Sequence, residues 1–156
     1  MGIDIRLAAL SDISLLLELR IEFLTTANGV NGDEEIHRLQ EENEDFLRKG
    51  LADGSFMQWL AFDGAYAVAT GSASFYRLPP NKGNPSGHCA YIGNMYTRPA
   101  YRRRGVAERI LRMALNEAAG RGCGKVNLHA TEQGRPLYAK LGFKDAQDGM
   151  TYTVSH

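Results

Sequence analysis

Three arginines followed by a glycine and two small or branched residues, Arg102-Arg103-Arg104-Gly105-Val106-Ala107, are the residues of this chain best suited to hold an anion. They stand between an extended stretch, residues 91–97, and an amphipathic helical stretch, residues 106–119, so the pattern predicts a strand, a tight turn and a helix start. At such a junction the backbone N–H groups of the first helical turn lack partners inside the helix, and the helix dipole adds a field that favours negative charge. Gly105 and Ala107 keep side-chain bulk away from those amides, while the arginines surround them with charge. The chemistry suits a phosphate. A basic run at a helix start is, taken alone, more often a solvated surface.

Two further segments change that reading. One is the lead-in, Asn94-Met95-Tyr96-Thr97-Arg98-Pro99-Ala100-Tyr101; the other lies downstream, Leu137-Tyr138-Ala139-Lys140-Leu141-Gly142-Phe143. Together with the arginine run they resemble the GNAT superfamily of N-acetyltransferases. Its pattern is a strand ending near a proline, then Arg or Gln, two variable residues, Gly, a variable residue and Gly or Ala, with a Leu-Tyr, three-residue, Gly-Phe block roughly thirty residues later. The resemblance is strongest over residues 91–143 and extends faintly to Ile5-Arg6 and Asp12.

The resemblance implies an α/β chain with the GNAT fold: a mixed, mostly antiparallel central sheet flanked by helices, with two parallel strands that splay apart at the cofactor. It implies acetyl-CoA as co-substrate, an amine as acceptor, and no metal. Mapped onto this chain, the backbone of Met95, Tyr96 and Thr97 would pair with the pantetheine arm, because an open strand edge carries unpaired N–H and C=O groups. Residues Arg102, Arg103, Arg104, Gly105, Val106 and Ala107 would hold the pyrophosphate. Backbone N–H near Met95 or Tyr96 would face the developing oxyanion, a contact worth roughly 3 kcal/mol per donor in other enzymes. Tyr138 matches the family's general acid; a phenol of reference pKa about 10 can protonate a thiolate of reference pKa about 8.5. Two positions depart from the family. Tyr91 stands where histone-type members have a glutamate base, leaving His88, His129, Glu22, the acidic second helix or an ordered water for that role. Thr131 stands where many members have an asparagine that contacts the cofactor arm, with Gly134 at the usual small position before Leu137-Tyr138. The implied activity is acetyl transfer to a primary amine; a catalytically silent acyl-CoA-binding module is the alternative. Many relatives pair as dimers, and apolar side chains on the last strands suit a homodimer.

These residues must be positioned by the rest of the chain. Its 156 residues and 44% hydrophobic content suit one domain, residues 1–156, with a packed core. No apolar run reaches the roughly 18–20 residues of a bilayer crossing and the first residues lack a secretory pattern, so a cytoplasmic location without membrane contact is expected. Cys89 and Cys123 have no CxxC spacing and suit small reduced core residues. Net charge is zero but uneven: residues 1–78 hold thirteen acidic and six basic side chains, residues 79–156 five and twelve. The basic half lacks the interleaved aromatics or recognition helix of a nucleic-acid binder and fits a small polyanion better. The acidic stretch from Asp33 to Asp45 hints at a cationic acceptor.

Element by element, a strand is expected at residues 3–7, then a helix capped by Ser11 running to about Leu24, with Leu15, Leu19 and Phe23 as its buried stripe. A second helix follows from Asp33 to about Lys49, ended by Gly50. Residues 56–62 and 66–76 read as a hairpin around Asp63-Gly64. Residues 78–87 read as a loop and 88–97 as a strand, and Ala107, Leu111, Ala114 and Ala118 line one face of the helix that follows. A strand at 125–130, parallel to 88–97 through a right-handed crossover, a short helix at 135–141 and a last strand at 151–154 complete the mixed sheet.

Overall fold

The computed structural model describes residues 2–146 and 148–156. Strand β2 (Phe56–Asp63) is joined to the central strand, β3 (Tyr66–Arg77), by the turn at Asp63-Gly64, where Gly64 takes φ of +60°. An Asp-Gly pair between apolar strands makes this turn because glycine enters positive φ without steric penalty. Strand β1 (Asp4–Leu7) pairs antiparallel with β2, and β4 (His88–Thr97) antiparallel with β3. Strand β5 (Lys125–Leu128) joins parallel to β4, which gives the five-stranded order β1-β2-β3-β4-β5. The parallel pair needs a crossover, and α3 (Val106–Gly120) supplies it.

Side-chain alternation along β2 builds two cores. Met57, Trp59 and Ala61 turn to the face covered by α3, with Val68, Ile92, Ile110 and Leu111. Phe56 and Leu60 turn to the other face, under α1 (Ile13–Ala27) and α2 (Asp33–Asp53), where they meet Ile13, Leu16, Leu19 and Leu47. Gln58 falls on this second face and is only 1% exposed.

Four expectations are corrected. Ser11 does not cap α1: a 3₁₀ turn (Leu10–Asp12) precedes it, and the Asp12 carboxylate accepts from the Ala9 amide at 2.7 Å and from Arg6 at 2.8 and 2.9 Å. The buried stripe of α1 is centred on Leu16 and Leu19, with Leu15 and Phe23 half-buried at its flank. Gly50 lies inside α2, where a Cβ would stand 2.6 Å from Phe56 Cβ; the helix instead ends at Gly54, φ +78°. Residues 151–154 form no strand, and Met150 and Tyr152 are 99% and 89% exposed. Their alternation suits a strand, but no strand among the described residues pairs with them. No helix among the described residues is long and apolar enough to cross a membrane.

The loop at residues 78–87 is pinned rather than loose. Buried Asn84 donates to the His88 carbonyl at 3.0 Å, and Ser86 Oγ donates to the Gly122 carbonyl at 2.9 Å. Cys89 is buried and Cys123 half-buried, both as free thiols.

Candidate active site

Strands β4 and β5 are paired only from Cys89–Lys125 to Ile92–Leu128, after which β5 stops while β4 runs on to Thr97. Residues 93–97 therefore have an open edge on the β5 side. On the β3 side, pairing shifts by one residue between Ser72–Gly93 and Thr70–Tyr96, a bulge that contains Asn94 at φ +52°. Gly71 lies opposite the bulge. A Cβ there would run into Met95 Sδ and Ile110 Cγ2, so the missing side chain is what seats Met95. Of the three residues expected to offer backbone groups, Met95 and Tyr96 lie on the open stretch, whereas the Thr97 carbonyl already accepts from Arg102 Nε at 2.9 Å. The Tyr96 ring is buried edge-on against Phe23, and its hydroxyl contacts Glu22, so only its backbone remains for a ligand.

The arginine run forms the turn that its sequence predicts. A 3₁₀ turn (Pro99–Tyr101) leads to Arg102, Arg103 sits in the left-handed region at φ +62°, and Gly105 does so at φ +77°. Helix α3 then begins at Val106 with no side chain capping its first amides. Val106 is buried with Ile110 and Leu111, which fixes the helix start against the sheet, while a Cβ on Gly105 would meet only open space. Arg104 lies 5.0 Å over the Tyr101 ring, whose hydroxyl donates to Asp63 at 2.7 Å. Uncapped amides, alternating left-handed residues and exposed arginines make a concavity suited to phosphate oxygens.

A cavity of about 490 Å³ lies beside the open edge of β4, with walls from β2, β3, β4, α1, α2 and the segment after β5. Tyr138, on α4 (Arg135–Lys140), lines it, its ring edge-on to Phe143 at 5.9 Å. Gly134 makes room for that ring: a Cβ there would stand 3.0 Å from Tyr138 Cε2. Burial, with the neighbouring Tyr91 hydroxyl, raises the Tyr138 phenol above its ordinary value and keeps it protonated. Thr131 also lines the cavity, but its hydroxyl accepts from the Gly134 amide at 3.2 Å; it braces the turn before α4 and keeps its own proton to donate.

Among the base candidates only His129 lines the cavity, with Tyr91 Oη and His129 Nδ1 2.6 Å apart. His88 is absent from its walls, and Glu22 pairs with Arg98 at 3.1 Å. The acidic residues of α2 also lie elsewhere. Glu44 and Asp45 pair with Arg48 and Lys49, and Asp33, Glu34 and Glu35 border a separate hollow at the start of α2. No described carboxylate lines the main cavity, against the expectation of an acidic acceptor site. Sequence reasoning missed Arg20, Gln58 and Asn94, which do line it. Gln58 alone carried a signal, as a polar residue in phase with Phe56 and Leu60 on an apolar strand face. Among the described residues no cluster of His, Cys, Asp and Glu is arranged to hold a metal.

Comparison with known proteins agrees with this geometry. The Acetyltransferase (GNAT) family matches residues 17–143. A "predicted acetyltransferase with acetyl-CoA" from Clostridium acetobutylicum is 32% identical, with a TM-score of 0.88 over 97% of this chain and 96% of that one. A GCN5-related N-acetyltransferase from Ralstonia eutropha is 28% identical, with a TM-score of 0.84 over 98% and 99% of the two chains. The rice (Oryza sativa subsp. japonica) glucosamine 6-phosphate N-acetyltransferase 1 is 35% identical over 68 residues, a match that spans 42% of this chain and 41% of that curated relative. With that much of its length matched in sequence and nearly all of it in structure, the chain belongs to the Acetyltransferase (GNAT) family.

Proposed function

We propose that this chain is an acetyl-CoA-dependent N-acetyltransferase that moves an acetyl group to a primary amine by direct attack of the amine on the thioester. The observation that carries this reading is an open β4 edge that borders a cavity lined by Tyr138 and runs on, through the arginine turn, to an uncapped helix start entered by residues in the left-handed region. Amides of residues 105–107 and the side chains of Arg103 and Arg104 would hold the pyrophosphate, and the backbone of Met95 and Tyr96 the pantetheine arm. The thioester supplies an activated acyl carbon.

The residues then have to move two protons. Tyr138, kept protonated by burial, donates its phenolic proton to sulfur as the carbon–sulfur bond breaks and its electron pair passes to sulfur. The nitrogen–carbon bond forms as the attacking amine loses a proton to Tyr91 Oη, whose own proton passes to His129 Nδ1 across the 2.6 Å contact. Solvent later returns a proton from His129 to Tyr138, so the chain ends unchanged. Main-chain N–H at Met95 or Tyr96 stabilises charge on the carbonyl oxygen. A silent binding module would need neither the phenol in the cavity nor the Tyr91–His129 pair beside it.

Two measurements test this. Titrating acetyl-CoA calorimetrically should give saturable heat, and a panel of primary amines with acetyl-CoA should release free thiol with at least one member. Absence of heat would remove the assignment.

A further inference from the structure

Resting on the transferase reading, the cavity's own charges restrict the acceptor. Arg20 is the one Lys or Arg among its described lining residues, and no carboxylate faces it. Every other charge on the middle of α1 is matched: Glu18 and Glu22 both pair with Arg98, at 3.4 and 3.1 Å. Arg20 has no ion-pair partner among the described residues. Its Nε donates to Asn43 Oδ1 at 3.3 Å, and Asn43 is held by its own bond from Nδ2 to the Leu39 carbonyl at 2.7 Å. That chain, with the guanidinium 5.7 Å over the Phe23 ring, orients it and leaves both terminal nitrogens without a hydrogen-bond partner among the described residues, the arrangement a bidentate oxyanion requires. Burial presses against the charged form of Arg20, which a bound anion would relieve.

Buried acceptors complement this cation. Gln58 Nε2 donates to Thr70 Oγ1 at 2.7 Å, and that hydroxyl donates onward to the Trp59 carbonyl at 2.9 Å, so the amide orientation is set by the network. Gln58 Oε1 is left buried with no donor, as is Asn94 Oδ1, and both residues line the same cavity as Arg20. Orphaned buried acceptors of this kind carry a penalty that N–H donors on a ligand remove. We infer that the acceptor is a small primary amine bearing an anionic group, a carboxylate or a phosphate, whose oxyanion is gripped by Arg20 while its N–H donors meet Gln58 and Asn94. A polycationic acceptor would bring its charge against an unpaired guanidinium.

The test uses the full-length protein with acetyl-CoA and acceptors of similar size: ethanolamine as neutral, β-alanine as carboxylate, O-phosphoethanolamine as phosphate and 1,3-diaminopropane as dication. Turnover is read by thiol release, and binding by calorimetry with coenzyme A present. One of the two anionic acceptors should exceed ethanolamine at least 10-fold in kcat/KM, which also distinguishes carboxylate from phosphate, and the dication should rank last. R20Q should collapse the anionic-to-neutral ratio by roughly 10- to 100-fold through KM, the range of a charged hydrogen bond, with partial recovery in R20K. N43D, which supplies Arg20 with an internal carboxylate, should lower the same ratio without touching the cavity's apolar walls. Retained heat with acetyl-CoA shows that each variant is folded. If ethanolamine or the dication matches the anionic acceptors, or if no anionic acceptor gives heat or turnover, this inference falls while the transferase reading stands. No heat with acetyl-CoA for the wild-type chain sinks the transferase reading itself.

Discussion

In the proposed reaction Tyr138 serves as the proton donor because of where it sits. In water its phenol would hold its proton at neutral pH anyway, but partial burial between Gly134 and Phe143 raises its value further. Tyr138→Phe removes one oxygen and leaves the ring packing, so acetyl-CoA heat should persist while kcat falls roughly 10²-fold, the lower range of general acid catalysis. Unchanged kcat would reassign the phenol to packing. Tyr91 and His129 make a complementary case. His129→Gln should lower acceptor turnover by a similar roughly 10²-fold factor, with acetyl-CoA affinity intact. Tyr138 could be singled out from the sequence, as a candidate that lines the cavity, because its neighbours Leu137, Gly142 and Phe143 keep a fixed spacing along the chain. The Tyr91–His129 pair was not, because it arises from parallel register: Tyr91 aligns with Asn127, and His129 follows two residues later on the same side. Arg20 was invisible for the same reason. Nothing local distinguishes it from Arg6 or Arg48; only the packing of α1 against α2 and the sheet turns it into the cavity.

Elements position these residues through a few backbone conformations. Gly105 at φ +77° joins the arginine turn to α3, and a side chain there would find space but not a comfortable backbone. Gly105→Ala should therefore lower stability by about 1 kcal/mol, the usual preference of glycine for the left-handed region. If the amides that follow grip phosphate, acetyl-CoA affinity should fall by more than that conformational penalty, at least 10-fold by calorimetry. A loss of stability with affinity retained would place the nucleotide elsewhere. Gly50 presents the opposite problem. Its helical conformation tolerates alanine, but a Cβ would press on Phe56, so Gly50→Ala should lower the unfolding free energy by roughly 1–3 kcal/mol through overpacking, read from a denaturant titration. This contrast explains the misplaced end of α2. A glycine after a helical run reads as a stop, and whether it stops the helix or admits a neighbour depends on Phe56, a contact made only once β2 packs on α2. Strand β4, the hairpin and the start of α3 were legible because turn chemistry and side-chain period agree there. The strand expected at residues 151–154 was not, since alternation describes a strand's faces and says nothing of its partner.

Across the whole molecule, the uneven charge of the sequence is stitched together at one residue. Arg98, from the basic half, closes β4 and reaches α1 in the acidic half, donating to Glu22 at 3.1 and 3.2 Å and to Glu18 at 3.4 Å. It also donates to the Ala67 carbonyl at 2.7 Å and lies 4.6 Å over the Tyr66 ring. This one side chain ties α1, one wall of the cavity, to the strand that carries the open edge. Burial raises Glu22, but the hydrogen bonds from Arg98 and Tyr96 outweigh it, so its carboxyl titrates below the ordinary range. Asp12 is lowered in the same way, chiefly by Arg6. As pH falls the unfolded chain therefore takes up protons first. The stability these groups contribute is whole at neutral pH and drains away from about pH 5 downward, through their lowered values. Arg98→Met keeps the aliphatic packing but removes the partner. It should lower stability at pH 7 by roughly 2–3 kcal/mol, less than a fully buried pair because the Glu22 side chain is 32% exposed. It should also flatten the decline of the unfolding midpoint between pH 5 and pH 3, since Glu22 would then titrate nearer its unfolded value. Denaturant titrations of both proteins at pH 7, 5 and 3 measure the two effects together, and parallel curves would show that Arg98 acts through packing and not through charge.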